Sequence, residues 1–303
     1  MRVFRWATIA VLVFGATATY AADDAPPIRQ FDIPTTERLG REMYEQDQFA
    51  WKATDILFRR HKKEELVAQK QHGWIVDSYP DHAVVRFIRE ADLGPMLSYD
   101  VTFTAGQALN YSEPQPVLLS SDELAQYNAR TLALKNADRM CAENLNTIVL
   151  KDPESDGWLV WAMAATTDPK LIVVGGHYRF SISSDGKTIL QKDALSRSCQ
   201  NFKREKGPDG EQVQLVMTQV VSNIPVETYV FDTLSYGQAL RVGTPDGRAW
   251  KINDGKITKI DMDMPGIDGA AARHLEAFNE NCLLMVTDAQ HPESNPTHGK
   301  STA

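Results

Sequence analysis

Residues 156–186 read DGWLVWAMAATTDPKLIVVGGHYRFSISSDG. Two apolar runs lie here between two Asp-Gly pairs. Asp and Gly both tolerate the positive φ of a tight two-residue turn, so this dipeptide between apolar runs predicts antiparallel strands joined by hairpins. The same pair recurs at 209–210, 246–247 and 254–255. Five such turns imply a mostly antiparallel meander. The run from Trp158 to Ala165 is apolar at odd and even positions alike, which marks a central strand covered on both faces. The run Leu171–Ser183 alternates instead. Ile172, Val174, Tyr178, Phe180 and Ile182 point one way, and His177, Arg179, Ser181 and Ser183 the other. Gly175-Gly176 inside it predicts a bulge, or a close approach by another backbone or a ligand.

Working outward, the period changes from two to that of a helix. Leu39, Met43, Ala50, Ala53 and Leu57 recur at spacings of three, four and seven, the pattern of one buried face of a long helix from Thr36 that Gly73 ends. Leu97, Tyr99, Val101 and Phe103 alternate with polar residues, a strand with one buried face. Trp74–Val76 and Ala83–Glu90 are its expected partners. Residues 111–119 hold two prolines and read as a linker. Ser120 and Glu123 form a capping box that opens a second helix with Leu124, Tyr127, Thr131 and Leu134 on one face. A third, short helix is expected at Asp268–Asn279, a last strand at Cys282–Thr287 and a disordered polar tail over 289–303. The sum is an α+β protein, with a long N-terminal helix and two shorter helices packed on antiparallel meander sheets. A helix followed by Gly-Trp and a Tyr-bearing strand occurs twice, which suggests two similar helix-plus-sheet subdomains, 22–115 and 116–288.

The first 21 residues read as a cleaved secretory signal. Arg2 and Arg5 precede a short apolar run, and Thr19-Tyr20-Ala21 fits the small-x-Ala rule. The run is too short for a membrane anchor, and no second long apolar segment follows, so no span is expected. The expected location is periplasmic or extracellular. There a disulfide becomes possible. Of Cys141, Cys199 and Cys282, the first two flank the same strand-rich segment and are the preferred pair. Cys282 continues an apolar stripe and reads as a small buried hydrophobe.

With 32 basic against 40 acidic residues the net charge is −8, and removal of Arg2 and Arg5 with the leader deepens it. Such a chain repels phosphate backbones, which argues against nucleic-acid binding. The basic run Arg59–Lys63 is followed at once by Glu64 and Glu65, as at the solvated end of a helix. The segment Asp152–Gly157 places carboxylates at 152, 154 and 156, like the start of a calcium loop, but Met163 stands where the closing carboxylate belongs. It reads as a turn, and no metal or cofactor is expected. No nucleophile elbow, phosphate-cradling Gly loop, zinc-protease helix, CxxC or dinucleotide fingerprint occurs. The best ligand-binding candidates are His177 and Arg179, side by side on one sheet face, where they could meet a carboxylate or phosphate. The leading expectation is a non-catalytic protein that binds a partner or small ligand through its sheet. The alternatives are a hydrolase with a non-local site that uses His177 and Arg179, and an inhibitor or immunity-type protein whose acidic surface meets a basic enzyme.

Overall fold

A computed structural model describes residues 27–261, except 114, 116, 140, 167, 169 and 205–214. The expected leader, the 209–210 turn, the helix at 268–279, the strand at 282–287, Cys282 and the tail lie outside the described residues.

The protein is α+β, and a helix followed by an antiparallel meander occurs three times in the described chain. First come α1 (Ile33–Arg60) and α2 (Lys63–Ala68), then β1 (Gln71–Ser78), β2 (Ala83–Ala91), β3 (Gly94–Thr104) and β4 (Gln107–Ser112), paired in chain order. Next come α3 (Ser121–Asn136), β5 (Leu145–Lys151), β6 (Trp158–Ala164), β7 (Leu171–Val173), β8 (Tyr178–Ile182), β9 (Ile189–Ala194) and β10 (Asn201–Lys203). Here the sheet runs β5-β6-β8-β9, and β7 leaves it to pair with β10. Last come β11 (Leu215–Thr218), α4 (Glu227–Tyr236), β12 (Leu240–Gly243), β13 (Ala249–Asn253) and β14 (Lys256–Ile260), in the order β11-β12-β13-β14. β11 and β12 are parallel, with α4 as their crossover, so the meander is not antiparallel throughout. The Gly-Trp landmarks are not equivalent, since Trp74 lies in β1 and Trp158 opens the second strand of its sheet. Tyr99 and Tyr178 both fall in a third strand, β3 and β8.

The long helix buries Leu39, Met43, Ala50, Ala53 and Leu57, the stripe its spacing predicts. It stops at Arg60 rather than at Gly73. His61 caps it, and Glu65 reaches back to the backbone of Lys62 in a capping box that starts α2, so the chain turns thirteen residues early. Gly40 is where α1 meets α4: a side chain there would run into Val230 and the Glu227 carbonyl. Such backbone proximity is what glycine permits in a helix.

The second helix starts at the Ser120–Glu123 box as expected. Its buried stripe differs. Ala125, Ala129 and Ala133 pack on one face of the second sheet, with Val149, Trp158, Val160, Tyr178 and Phe180. Tyr127 packs on the first sheet with Ile75 and Ile88, and Thr131 is exposed. α3 is wedged between two sheets, so small residues set its closest approach and a single large-residue stripe does not describe it. The other face of the second sheet, with Ile148, Leu159, Trp161 and Met163, joins the main core built with α1, α4 and the last sheet. Strand β6 is therefore buried at every position, as its two-faced apolarity predicts.

Candidate functional site

His177 and Arg179 do share one face of the second sheet, opposite Phe180 and Ile182, but that face is not open. His177 is 2% exposed and Arg179 1%. The chain ahead of α1 and the start of α4 lie over it. Arg179 Nε and Nη2 donate to Asp193 (3.2 and 2.7 Å), Nη1 donates to Glu227 Oε1 at 2.8 Å, and Nη2 also donates to the Arg29 carbonyl. Glu227 Oε1 accepts in addition from Trp161 Nε1 at 2.7 Å. The Phe31 ring lies 4.9 Å from the guanidinium. Every prong of Arg179 is thus committed inside the protein. His177 Nδ1 accepts from the Ala164 amide at 3.0 Å, and burial pushes its imidazole down to about 4, so it is neutral at physiological pH. The two residues share one face, as alternation predicts, and the protein's own chain covers that face. Polarity along β8 marks a buried ion network, because alternation reports which side a residue faces and not what covers that side. Neither residue lines the cleft described below or a second cleft beside Tyr111.

The neighbouring Gly175-Gly176 marks a close approach, as expected, and the approaching group is the chain itself. A Cβ at 175 would sit 2.5 Å from the Ser198 carbonyl, and one at 176 would strike Cys141 Sγ. Cys141 and Cys199 form a disulfide. The calcium-like run at 152–157 is also spoken for: Arg29 donates to both oxygens of Asp152 at 2.7 Å and to Glu154 at 2.7 Å.

A cleft of about 280 Å³ lies elsewhere, between the first two sheets. Its lining includes Trp74–Val76 of β1 and Asn146–Val149 of β5. Side chains alternate across a strand, so a run of consecutive lining residues means that the cleft meets the edge of each strand rather than one face. Both are edge strands: β1 pairs only with β2, and β5 only with β6. Above them α1 contributes Gln46, Asp47, Ala50, Trp51 and Thr54, and α3 contributes Gln126 and Arg130. Trp51 is 58% exposed. Gln126 Nε2 donates to the Val76 carbonyl at 3.2 Å, a ladder group of β1 that its strand partner leaves to the cleft.

Two polar atoms in this cleft lack a hydrogen bond, and one carboxylate lacks a counterion, among the described residues. Thr147 Oγ1 and Arg130 Nε are buried without a hydrogen bond. Arg130 makes no ion pair with a described residue, and its guanidinium lies over Trp74, 4.9 Å from the ring centre. Burial lowers its pKa. Asp47 has no charged partner among the described residues, and burial pushes its carboxyl up to about 6. Sequence patterning did not single out these residues. Arg130 and Asp47 sit on amphipathic helices among other charges, and only the meeting of two sheet edges makes them neighbours of one space.

Asp47 carries a pH prediction. Its folded pKa is above the unfolded value, so the folded state holds the proton more tightly. That contribution is present at about pH 4 and is lost as pH rises through about 6. Asp47→Asn should therefore stabilise the protein by about 2 kcal/mol at pH 7.5, and by little at pH 4. Thermal melts at the two pH values check this, and an equal gain at both would show that ionisation is not its cause.

Among the described residues no helix is long and apolar enough to cross a membrane. No family model matches the chain, and no curated protein matches it. Among solved structures, the C-terminal domain of YpeB from Bacillus megaterium aligns at 10% identity over 57% of this chain and 70% of that one, with a TM-score of 0.16. A likeness at that level carries no argument about fold or function.

Proposed function

We propose that this is an exported, non-catalytic binding protein that takes a segment of a partner polypeptide in the cleft between its first two sheets. The observation that carries this reading is that two sheet edges, β1 and β5, line one cleft. An open strand edge presents a row of unpaired N–H and C=O groups, and adding a strand to such an edge is a recurrent way of binding extended peptides. The binding surface is then an edge rather than the sheet face that carries His177 and Arg179. Export is supported by the 1–21 leader pattern and by the Cys141–Cys199 disulfide, since such bonds persist in oxidising compartments.

The test is a display library of random hexapeptides selected on the full chain, followed by amide hydrogen exchange of the chain with the selected peptides. Slowed exchange over residues 74–76 and 146–149 is the expected result. Selected peptides that protect other segments and leave these unchanged would overturn the reading.

A further inference from the structure

We propose that the partner segment is acidic, and that a carboxylate side chain within it pairs with the guanidinium of Arg130. This rests on the cleft reading above and names the chemistry of its ligand. The unusual feature is a mostly buried arginine that no described carboxylate answers. Three other arginines of the core and its margin are matched, although Arg89 Nε is, like Arg130 Nε, buried without a hydrogen bond. Arg179 meets Asp193 and Glu227, Arg29 meets Asp152 and Glu154, and Arg86 meets Asp77 and Glu123. The chain has 40 acidic residues, so an unmatched cation does not reflect a shortage of anions. Burying a charge without a counterion is costly, and a ligand that supplies the anion recovers part of that cost on binding.

The site is shaped for the pairing. Trp74 lies under the guanidinium, which favours a fixed plane, and a planar fork of N–H donors matches a carboxylate with two parallel hydrogen bonds. Gly73 leaves the seat open: a Cβ there would lie 2.7 Å from Arg130 Nη1. Thr147 Oγ1, buried and unpaired on the opposite strand, offers a donor and an acceptor to a passing peptide group. The lining residues sit in the middle of β1 and β5, not at their ends. An extended segment that follows these edges runs through the cleft, so the anion is a side chain along the segment rather than a chain terminus.

Three synthetic pools of random hexapeptides test this on the immobilised full chain. All are N-acetylated. One contains Asp and Glu and ends in an amide, one replaces these by Asn and Gln and ends in an amide, and one has Asn and Gln with a free C-terminus. The amidated acidic pool should be retained at least about tenfold more than either neutral pool, the factor that a charge-assisted pair supplies. Arg130→Gln should abolish the preference, so that the acidic amidated pool is retained no more than the neutral pools on that same variant. That variant removes an unpaired buried charge, so it should melt no lower than wild type. Gly73→Ala keeps the charge but displaces the guanidinium, and should also weaken the acidic pool selectively. Equal retention of acidic and neutral amidated pools, with protection of 74–76 and 146–149, would overturn the acidic preference and leave the binding reading standing. A preference confined to the free C-terminus would overturn it as well. Failure of every pool to protect those residues would sink both.

Discussion

Arg179→Ala should lower the unfolding free energy by about 3–5 kcal/mol, the range for removing one partner of a buried ion pair. The loss is not that of a surface bridge. Asp193 and Glu227 are 3% and 1% exposed, and without the guanidinium two carboxylates are left facing each other in a dry interior. Arg179 also holds the chain ahead of α1 through the Arg29 carbonyl and the Phe31 ring, so amide exchange should accelerate at 28–31 as well. A second variant separates the charge effect from the packing effect. Replacing the cluster together as Arg179→Met, Asp193→Asn and Glu227→Gln removes all three ionisable groups, and the new side-chain amides keep an oxygen to accept from the Arg29 amide and from Trp161. Its stability should recover most of the loss, because a buried ion cluster exchanged for groups of similar volume is often neutral. Denaturant unfolding of both variants checks this. A loss below about 1 kcal/mol for Arg179→Ala would show that solvent reaches the cluster.

Cys141→Ala with Cys199→Ala should destabilise by about 4 kcal/mol. The bond joins residues 58 apart, and the chain-entropy cost of freeing a loop of that length lies between those of short and very long loops. Reductant should lower the wild-type denaturation midpoint to that of the double variant and leave the variant unmoved. A wild-type midpoint indifferent to reductant would count against the bond. The bond pins the loop between α3 and β5 to the chain between β9 and β10, across the Gly175-Gly176 approach. Its loss should loosen the β7–β10 pair before the central strands.

Much of the architecture was legible. The Asp-Gly pairs at 156, 185, 246 and 254 each join adjacent antiparallel strands, because turn chemistry is local. At 254–255 both turn residues have positive φ, 47° and 69°, as a two-residue hairpin of the primed type requires. Strand β4 was hidden because its turn uses Ala105-Gly106, at φ 49° and 74°, without the Asx signal. Helix α4 was hidden too. Glu227–Tyr236 is rich in β-branched and aromatic residues and has no side-chain N-cap, so its propensity reads as strand and its packing on α1 decides otherwise. The candidate site was least legible. Alternation placed His177 and Arg179 on one face but could not show the chain folded over it. The cleft depends on two edges separated by some seventy residues of sequence, a juxtaposition that no local pattern records.

The partners of α1 bear on the order in which the protein can assemble. Arg41 donates to the Gly255 carbonyl, and Glu37 accepts from Lys256 and from the Ile257 amide, contacts that span 214–220 residues of chain. Its Gly40 surface waits for α4. The first half of α1, the first helix among the described residues, thus meets these partners last, in segments that leave the ribosome some two hundred residues later. Until then that part of its apolar stripe stays available to chaperones, and the completed fold is out of reach of a nascent chain that lacks its third meander.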